Sequence, residues 1–425
     1  MSADNSELLM LLGGKKKAKQ TIGVQGEIGF GGGLYGGDPA DLEAIGLSPL
    51  PNNDDPTNEN YGSYVHTNGS VMLFVPAFCY RIGNSTAPSY AIDKDNALEI
   101  RDANLGETDG FILHRAFIDG GKVKLGFFID KYMCSKDPTE TLAISVKNGD
   151  PIALIPLKYV DSGSMPNCVG DVSDAITLGR ARGEAYSCAS GFMYAALAML
   201  SVAQGQAAKS TKECAWFDPN YQTNYPKGNN NLLKDVADSS VTFTQSLAYS
   251  LRISTTGSAS NLAKTTHTGQ IWGVTDINGN MPQPCLGTMN AGEYRVAKET
   301  TLMHSFTKAN FTDIYRDLHD DVPFEGVATS KEYYWGNNNY GSFHKESSGT
   351  YRAICGLIPK DIGTSKFGTS LFGYDYGSAN TEGYNRVVIT AGSFNGSSTA
   401  GVFFRGIIAT NAGGIYGFRV GGYAM

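Results

Sequence analysis

The chain has 425 residues and a mass of 45.4 kDa, enough for more than one domain and for a substantial buried core. Only 18% of its residues are charged against 41% hydrophobic, and 52 Gly, 23 Tyr and 20 Phe give a turn-rich, β-leaning composition. A net charge of −7, with a single basic run at Lys15-Lys16-Lys17-Ala18-Lys19, argues against a nucleic-acid groove.

Taken in chain order, the apolar patch Leu8 to Leu12 follows Asp4 and Glu7 and precedes the lysines. That order is wrong for a signal peptide, and no run reaches the roughly 18 apolar residues of a membrane helix. Residues 13–60 hold Gly29-Phe30-Gly31-Gly32-Gly33 and Leu50 to Pro56, a loop-and-linker composition, so a flexible arm is expected over 1–60. A small β-rich region is expected over 61–109, with a strand pair between Val71 and Arg81. Further strands are expected at Gly110 to His114 and Lys122 to Ile129. Ala185 to Gln204 is the best helix by propensity, with a shorter one near Ser187 or earlier. Residues 205–265 read as a polar insertion. Tyr333 to Met425, rich in Gly and poor in helix formers, reads as short strands and loops.

Chemistry-bearing patterns are sparse. Cys79, Cys134, Cys168, Cys188, Cys214, Cys285 and Cys355 are scattered, without a CxxC pair or a zinc-type Cys-His spacing, and are expected as buried free thiols. His66, His114, His267, His304, His319 and His344 form no HxH or HExxH pair, and are expected at the surface or singly hydrogen-bonded. Asp317 to Asp321 lacks the spacing of a calcium loop. The Gly29 to Gly33 run lacks the Lys-Ser/Thr of a phosphate loop, and Ser393 does not sit in a GxSxG elbow. From Arg386 to Met425 the only ionisable side chains besides Tyr are Arg386, Arg405 and Arg419. Acid-base, nucleophilic and metal chemistry lack their residues there. Phe403, Phe404, Ile407, Ile408, Ile415 and Tyr416 among small residues suit either a binding surface or an ordinary β core.

Four segments, in order, resemble one superfamily. Gly126-Phe127-Phe128-Ile129-Asp130-Lys131-Tyr132 resembles the strand that opens the C-type-lectin-like fold of the formylglycine-generating (sulfatase-modifying) enzymes. The helix over Ala185 to Gln204 stands where that family has its long central helix. Trp272-Gly273-Val274-Thr275-Asp276-Ile277-Asn278-Gly279-Asn280-Met281 is similar to the family's Gly-Asn stretch, with Pro282-Gln283 in place of the usual Trp-Glu. Ala391-Gly392-Ser393-Phe394 and Gly417-Phe418-Arg419-Val420 resemble the close of the fold. The resemblance implies an α+β, C-type-lectin-like domain over 110–425, behind a glycine-rich, β-leaning N-terminal region, with a variable region near 330–425.

The reactive Cys or iron-binding His of the family's enzymes has no counterpart between Gly392 and Arg419. That stretch instead resembles the variable region of diversity-generating retroelement target proteins, in which template adenines, chiefly in Asn codons, are mutagenised. Such codon changes cannot produce Lys, Glu, Gln, Met or Trp, and none of the five occurs between Ala391 and Ala424. Alignment to that pattern makes Gly396, Thr399, Phe404, Gly406, Ile407, Ile408, Gly414 and Ile415 the expected diversified, ligand-facing positions. Asp375, Tyr376, Tyr384 and Asn385 are expected beside them. Gly392, Phe394, Ala400, Gly401, Phe403, Gly417, Phe418 and Arg419 would be scaffold. The implied function is a non-enzymatic receptor-binding protein without cofactor or metal, on a virus tail or other cell-exterior surface. Its partners would be a host or neighbouring-cell protein or glycan, and a virion or carrier through the N-terminal arm, with no nucleic acid and no membrane. A homo-oligomer is compatible with this. The alternatives are an oxidase using Cys355 and His344, and a structural virion protein.

Overall fold

A computed structural model describes residues 20–82, 98–137, 142–154, 172–217, 228–229, 232–248, 252–290, 294–310, 321–322, 332–335, 375–378, 386–394, 396, 400–409 and 416–424. For 82, 289–290, 294–295, 321–322, 332–335, 375–378, 386 and 406–409 the backbone alone is described. The fold is mixed α/β, mostly sheet with few helices.

Helix α1 (Pro39–Ala44) starts with Asp38, whose carboxylate accepts the Ala40 amide, and with Pro at its first position. Strands β1 (Leu47–Pro49), β2 (Ser63–His66) and β3 (Val71–Pro76) form an antiparallel meander. After the buried Ala77 the chain turns into another sheet, in which β4 (Phe78–Ile82) lies between β5 (Leu98–Asp102) and β6 (Ile112–Leu113). The expected strand pair over Val71 to Arg81 is therefore two consecutive strands of different sheets. A small ribbon, β7 (Ile118–Asp119) with β8 (Lys122–Val123), leads to β9 (Gly126–Asp130). All five residues of β9 are buried, as suits a strand covered on both faces. A second ribbon pairs β10 (Cys134–Lys136) with β11 (Ala143–Ser145).

Helix α2 (Val172–Arg180) precedes β12 (Tyr186–Cys188), and Ser190 caps α3 (Gly191–Ala207) by accepting the Met193 amide at 3.2 Å. The expected helix from Ala185 thus starts later, because Tyr186 to Cys188 pair with the chain's last strand, and the shorter helix lies at 172–180. Every residue of α3 except Gly205 is buried, the signature of a helix enclosed on all sides. Strands β13 (Gln283–Asn290), β14 (Tyr294–Val296) and β15 (Asp321–Val322) follow, then the pair β16 (Glu332–Trp335) and β17 (Asp375–Ser378). The chain closes with β18 (Arg386–Thr390), β19 (Gly406–Ala409) and β20 (Val420–Gly422).

Two sheets organise these elements. One runs β1-β2-β3-β9-β20-β12, the other β15-β14-β13-β18-β19, and α3 packs on β13 and on β5. Strand β20 therefore lies between β9 and β12, and N-terminal and C-terminal strands share one sheet. A main apolar core runs from Ile22 to Tyr423, with a smaller one beside it around Met133 and Met281. Residues from both 61–109 and 110–425 contribute to the main core.

The flexible arm expected over 1–60 is corrected for residues 20–60. Ile22 and Phe30 are fully buried, and Leu42, Ile45 and Leu47 join the core. Composition misled because buried glutamine side chains, rather than a ladder, satisfy this segment's backbone. Gln204 Oε1 accepts the Gly26 amide at 2.9 Å, Gln270 Oε1 accepts the Gly29 amide at 2.6 Å, and Gln270 Nε2 donates to Phe30 O at 3.0 Å. The glycine run is a close-packing device. Gly31 has φ +98°, a Cβ there would lie 2.7 Å from Thr268 Cγ2, and one on Gly32 would strike the Trp272 ring. Residues 1–19 lie outside the described residues.

The polar stretch over 205–265 is likewise no loose insertion where described. It buries Cys214, Trp216, Val241 and Ile253 and is threaded by isolated bridges such as Asn229 with Asp235.

Candidate functional site

Three of the resembling segments meet around one buried arginine. Arg419 Nη1 donates to Asp130 O at 3.1 Å and to Lys131 O at 3.0 Å, and its Nη2 donates to Thr275 O. Asp130 in turn holds Arg182 in a fully buried bidentate pair, accepts the Val420 amide at 2.9 Å, and accepts the Cys134 thiol at 3.2 Å. The strands that open and close the resemblance, β9 and β20, are direct neighbours. A buried, bidentate pair of this kind costs several kcal/mol if one partner is lost, so it pins the junction.

From this junction the chain builds the loop between β18 and β19. Ala391 and Gly392 take successive positive φ of 68° and 73° and turn the chain sharply out of β18. A Cβ on Gly392 would lie 2.6 Å from Ala400 Cα, so only glycine fits where the two ends of the loop cross. Ser393 bridges Asn280, Phe394 donates its amide to Asn280 O at 3.0 Å, and Gly417 donates to Pro282 O at 2.9 Å. The Phe394 ring enters a small core of Met133, Ala153, Ala248, Ile253 and Met281. Ala400, Val402 and Phe403 are buried, as are Gly401, Gly417 and Phe418.

The expected ligand-facing positions divide as follows. Gly396 is half-buried in a turn, its amide donating to Ser393 O at 2.8 Å. Phe404 is half-buried and packs on the main core beside Gly392, so it is less open than a freely displayed side chain. Gly406, Ile407 and Ile408 lie on β19, opposite Ile389, Val388 and Val387. Asp375 and Tyr376 lie on β17, which runs alongside β19. β17 and β19 thus touch, although they belong to different sheets. Thr399, Gly414, Ile415, Tyr384 and Asn385 fall outside the described residues, as do His344, Cys355, most of Asp317 to Asp321, and Cys168.

Two features escaped the sequence reading. The β16–β17 register sets Tyr334 opposite Tyr376 and Trp335 opposite Asp375; the aromatic run Tyr333-Tyr334-Trp335 was the available signal. Arg405, at the foot of the loop, is fully buried, with Nη1 donating to Thr390 Oγ1, to Val402 O at 3.1 Å and to Phe404 O at 2.8 Å. Nothing in its sequence context marked it as interior.

Cys79, Cys134, Cys188, Cys214 and Cys285 are buried and free. Burial drives the Cys134, Cys188 and Cys214 thiols far above the usual range, and pushes Cys285 up to about 12 against the opposing pull of Arg405. A thiol so held is protonated at neutral pH and is a poor nucleophile. The expectation of surface or singly bonded histidines fails at three positions, one of them His66, which is buried with Nδ1 against both the Asn68 side chain and the Asn68 amide. His114 is fully buried, caps the 115–117 turn through Nδ1 and packs against Phe78 and Phe117. His267 is also fully buried, with Nδ1 accepting the Val274 amide at 3.1 Å and Nε2 against Gly31 O at 3.4 Å. No group of His, Cys, Asp and Glu suited to a metal occurs among the described residues. No helix among them is long and apolar enough to cross a membrane.

No family model matches the chain, and no curated protein does. Among solved structures it is similar to one described as "Major Tropism Determinant U1 Variant", with 11% identity and a TM-score of 0.27. The similarity covers 83% of this chain and 63% of that one, so this chain spans less than two thirds of that protein's length.

Proposed function

We propose that the protein is a non-enzymatic ligand-binding protein whose C-type-lectin-like domain displays a diversified surface built on β17, β19 and the 391–405 loop. One observation carries this reading: the loop's backbone is fixed from beneath by Gly392, Phe394, Ala400 and Phe403, while β17 packs against β19. A backbone held by buried residues tolerates substitution at the positions between them, and anchors on a rigid frame bind without a large ordering cost. Further support comes from the ordered resemblance of the four segments and from the absence of Asp, Glu, Lys, His and Cys between Arg386 and Met425.

The partner in this reading is a protein or glycan on another cell's surface, and the setting is a virion tail or comparable carrier. Anchorage would fall to residues before 20, because 20–60 are committed to the core. The decisive experiment is to sequence the gene's surroundings for a near-copy of the codons for 330–425 and a reverse transcriptase gene. Differences confined to template adenines, at the codons named above, are the expected result. No repeat, or differences spread over the codons of buried residues such as Phe403 and Phe418, would overturn the proposal.

A further inference from the structure

The described part of the chain contains four deeply buried arginines, and one of them is out of balance. Arg182 is paired with Asp130. Arg419 bonds through both Nη atoms and feels the charges of Asp276 and Asp130, and Arg115 bonds through both Nη atoms near Asp119. Arg405 differs. Its Nη1 makes three bonds, but Nη2 is buried without a hydrogen-bond partner, and Nε, as in the other three arginines, has none either.

Among the described elements of its own sheet and the helix packed on it, none carries a carboxylate, although β17 beside β19 carries Asp375. Strands β13, β18 and β19, the 391–405 loop and helix α3 contain no Asp or Glu. The β13–β18 register sets Gln283 opposite Thr390, and the β18–β19 register sets Ile389 opposite Gly406, so that Arg405 follows opposite Thr390. Cross-strand partners share a face. Gln283, Thr390 and Arg405 therefore form one row. That row faces α3, because Tyr194 Oη donates to Gln283 Oε1 at 3.0 Å. Gln283 Nε2 is a further buried donor without a partner. The layer between the sheet and α3 thus holds a full positive charge and three buried N–H-bearing nitrogens without a hydrogen-bond partner. An isolated buried cation costs several kcal/mol unless it is compensated, and a water molecule would satisfy a donor but not the charge.

We propose that a compact monovalent anion of the halide class binds in this row, held by Nη2 and Nε of Arg405 and by Gln283 Nε2. The enclosure favours a single-atom anion, since both bare Arg405 nitrogens are shielded from solvent. The site is independent of the diversified-surface reading and would exist whatever the loop binds.

The test is the melting temperature of the full chain in sodium chloride, sodium bromide and sodium gluconate at matched ionic strength. Chloride and bromide should raise Tm saturably over gluconate, by about 2 °C or more. The Arg405→Met variant should lose that dependence. Should it not fold, Gln283→Leu retains the charge and should weaken the apparent halide affinity by about threefold or more, the loss of roughly one hydrogen bond. Crystals grown in bromide should show an anomalous peak in contact with Arg405 Nη2. Coincident melting curves in the three salts, a halide dependence unchanged in the folded variants, or bromide found only at the surface would each overturn the site.

Discussion

The Phe394 amide donates to the Asn280 carbonyl oxygen at 3.0 Å, fastening the C-terminal loop to a segment more than a hundred residues earlier in the chain. Asn280 itself has φ 143° and is held by its side chain, with Oδ1 accepting the Ser254 amide at 3.1 Å and Nδ2 donating to Ser254 O at 3.2 Å. The stretch around Ser254 thereby supports the loop through one residue.

Replacing Asn280 with Ala leaves two buried backbone groups of Ser254 unpaired. Stability to denaturant should fall by about 2–3 kcal/mol, and amide exchange at Phe394 should quicken. A midpoint shift worth under about 0.5 kcal/mol would show that Asn280 does not hold the loop.

Gly31→Ala discriminates a packed segment from a linker. In a linker the change is neutral or stabilising by about 0.4–1 kcal/mol. With φ at +98° and Thr268 Cγ2 only 2.7 Å from the new methyl, the variant should instead lose about 2 kcal/mol or more. Thermal unfolding measures the difference.

His267 sets part of the acid limit of stability. Burial lowers its pKa to about 3, against about 6.5 in an unfolded chain. Its Nδ1 faces the Val274 amide and has no room for a proton. Between those values the unfolded chain binds a proton that the folded one refuses, so stability falls as pH drops from about 6.5 towards 3, by at most about 1.4 kcal/mol per pH unit. His267→Gln should flatten that limb when unfolding is followed from pH 7 to 4. Parallel curves for the two proteins would contradict the assignment.

Phe403 and Phe404 are neighbours with opposite duties. Phe403 is fully exposed to none of the solvent, while Phe404 is half-buried. Phe403→Ala should cost about 3–5 kcal/mol, and Phe404→Ala less than half as much. Under the proposed function only Phe404→Ala should abolish ligand binding at a temperature where both variants are folded. Equal stability losses would place both rings in the core.

Strand and helix periodicities were legible where one element supplies its own signal. The run Gly126 to Asp130 and the alanine-rich α3 are examples. What composition could not reveal was a long-range partner. Gly29 to Gly33 looks like linker until the Trp272 and Thr268 side chains it accommodates are known, and Tyr186 to Cys188 looks helical until β20 arrives to pair with it. Arg405 shows the same limit at the site. A guanidinium after two phenylalanines reads as a strand's exposed end, and only the Thr390 register places it inside. The four resembling segments, by contrast, were recognisable because backbone-specific residues such as Gly392, Asn280 and Arg419 leave a local mark even when their partners are distant.

Strand β20 occupies an interior place in its sheet, between strands that the chain delivers far earlier. During synthesis β9 and β12 must wait, edge-exposed, for roughly the entire remaining chain before the ribosome supplies the piece that joins them. The sheet is then completed only when β20 is supplied, and such non-local closure is intrinsically slow. A chain whose reading frame fails within the C-terminal segment before β20 leaves β9 and β12 unjoined. Translation errors in that segment are thereby converted into unfolded chains open to degradation, rather than into stable molecules bearing a defective surface.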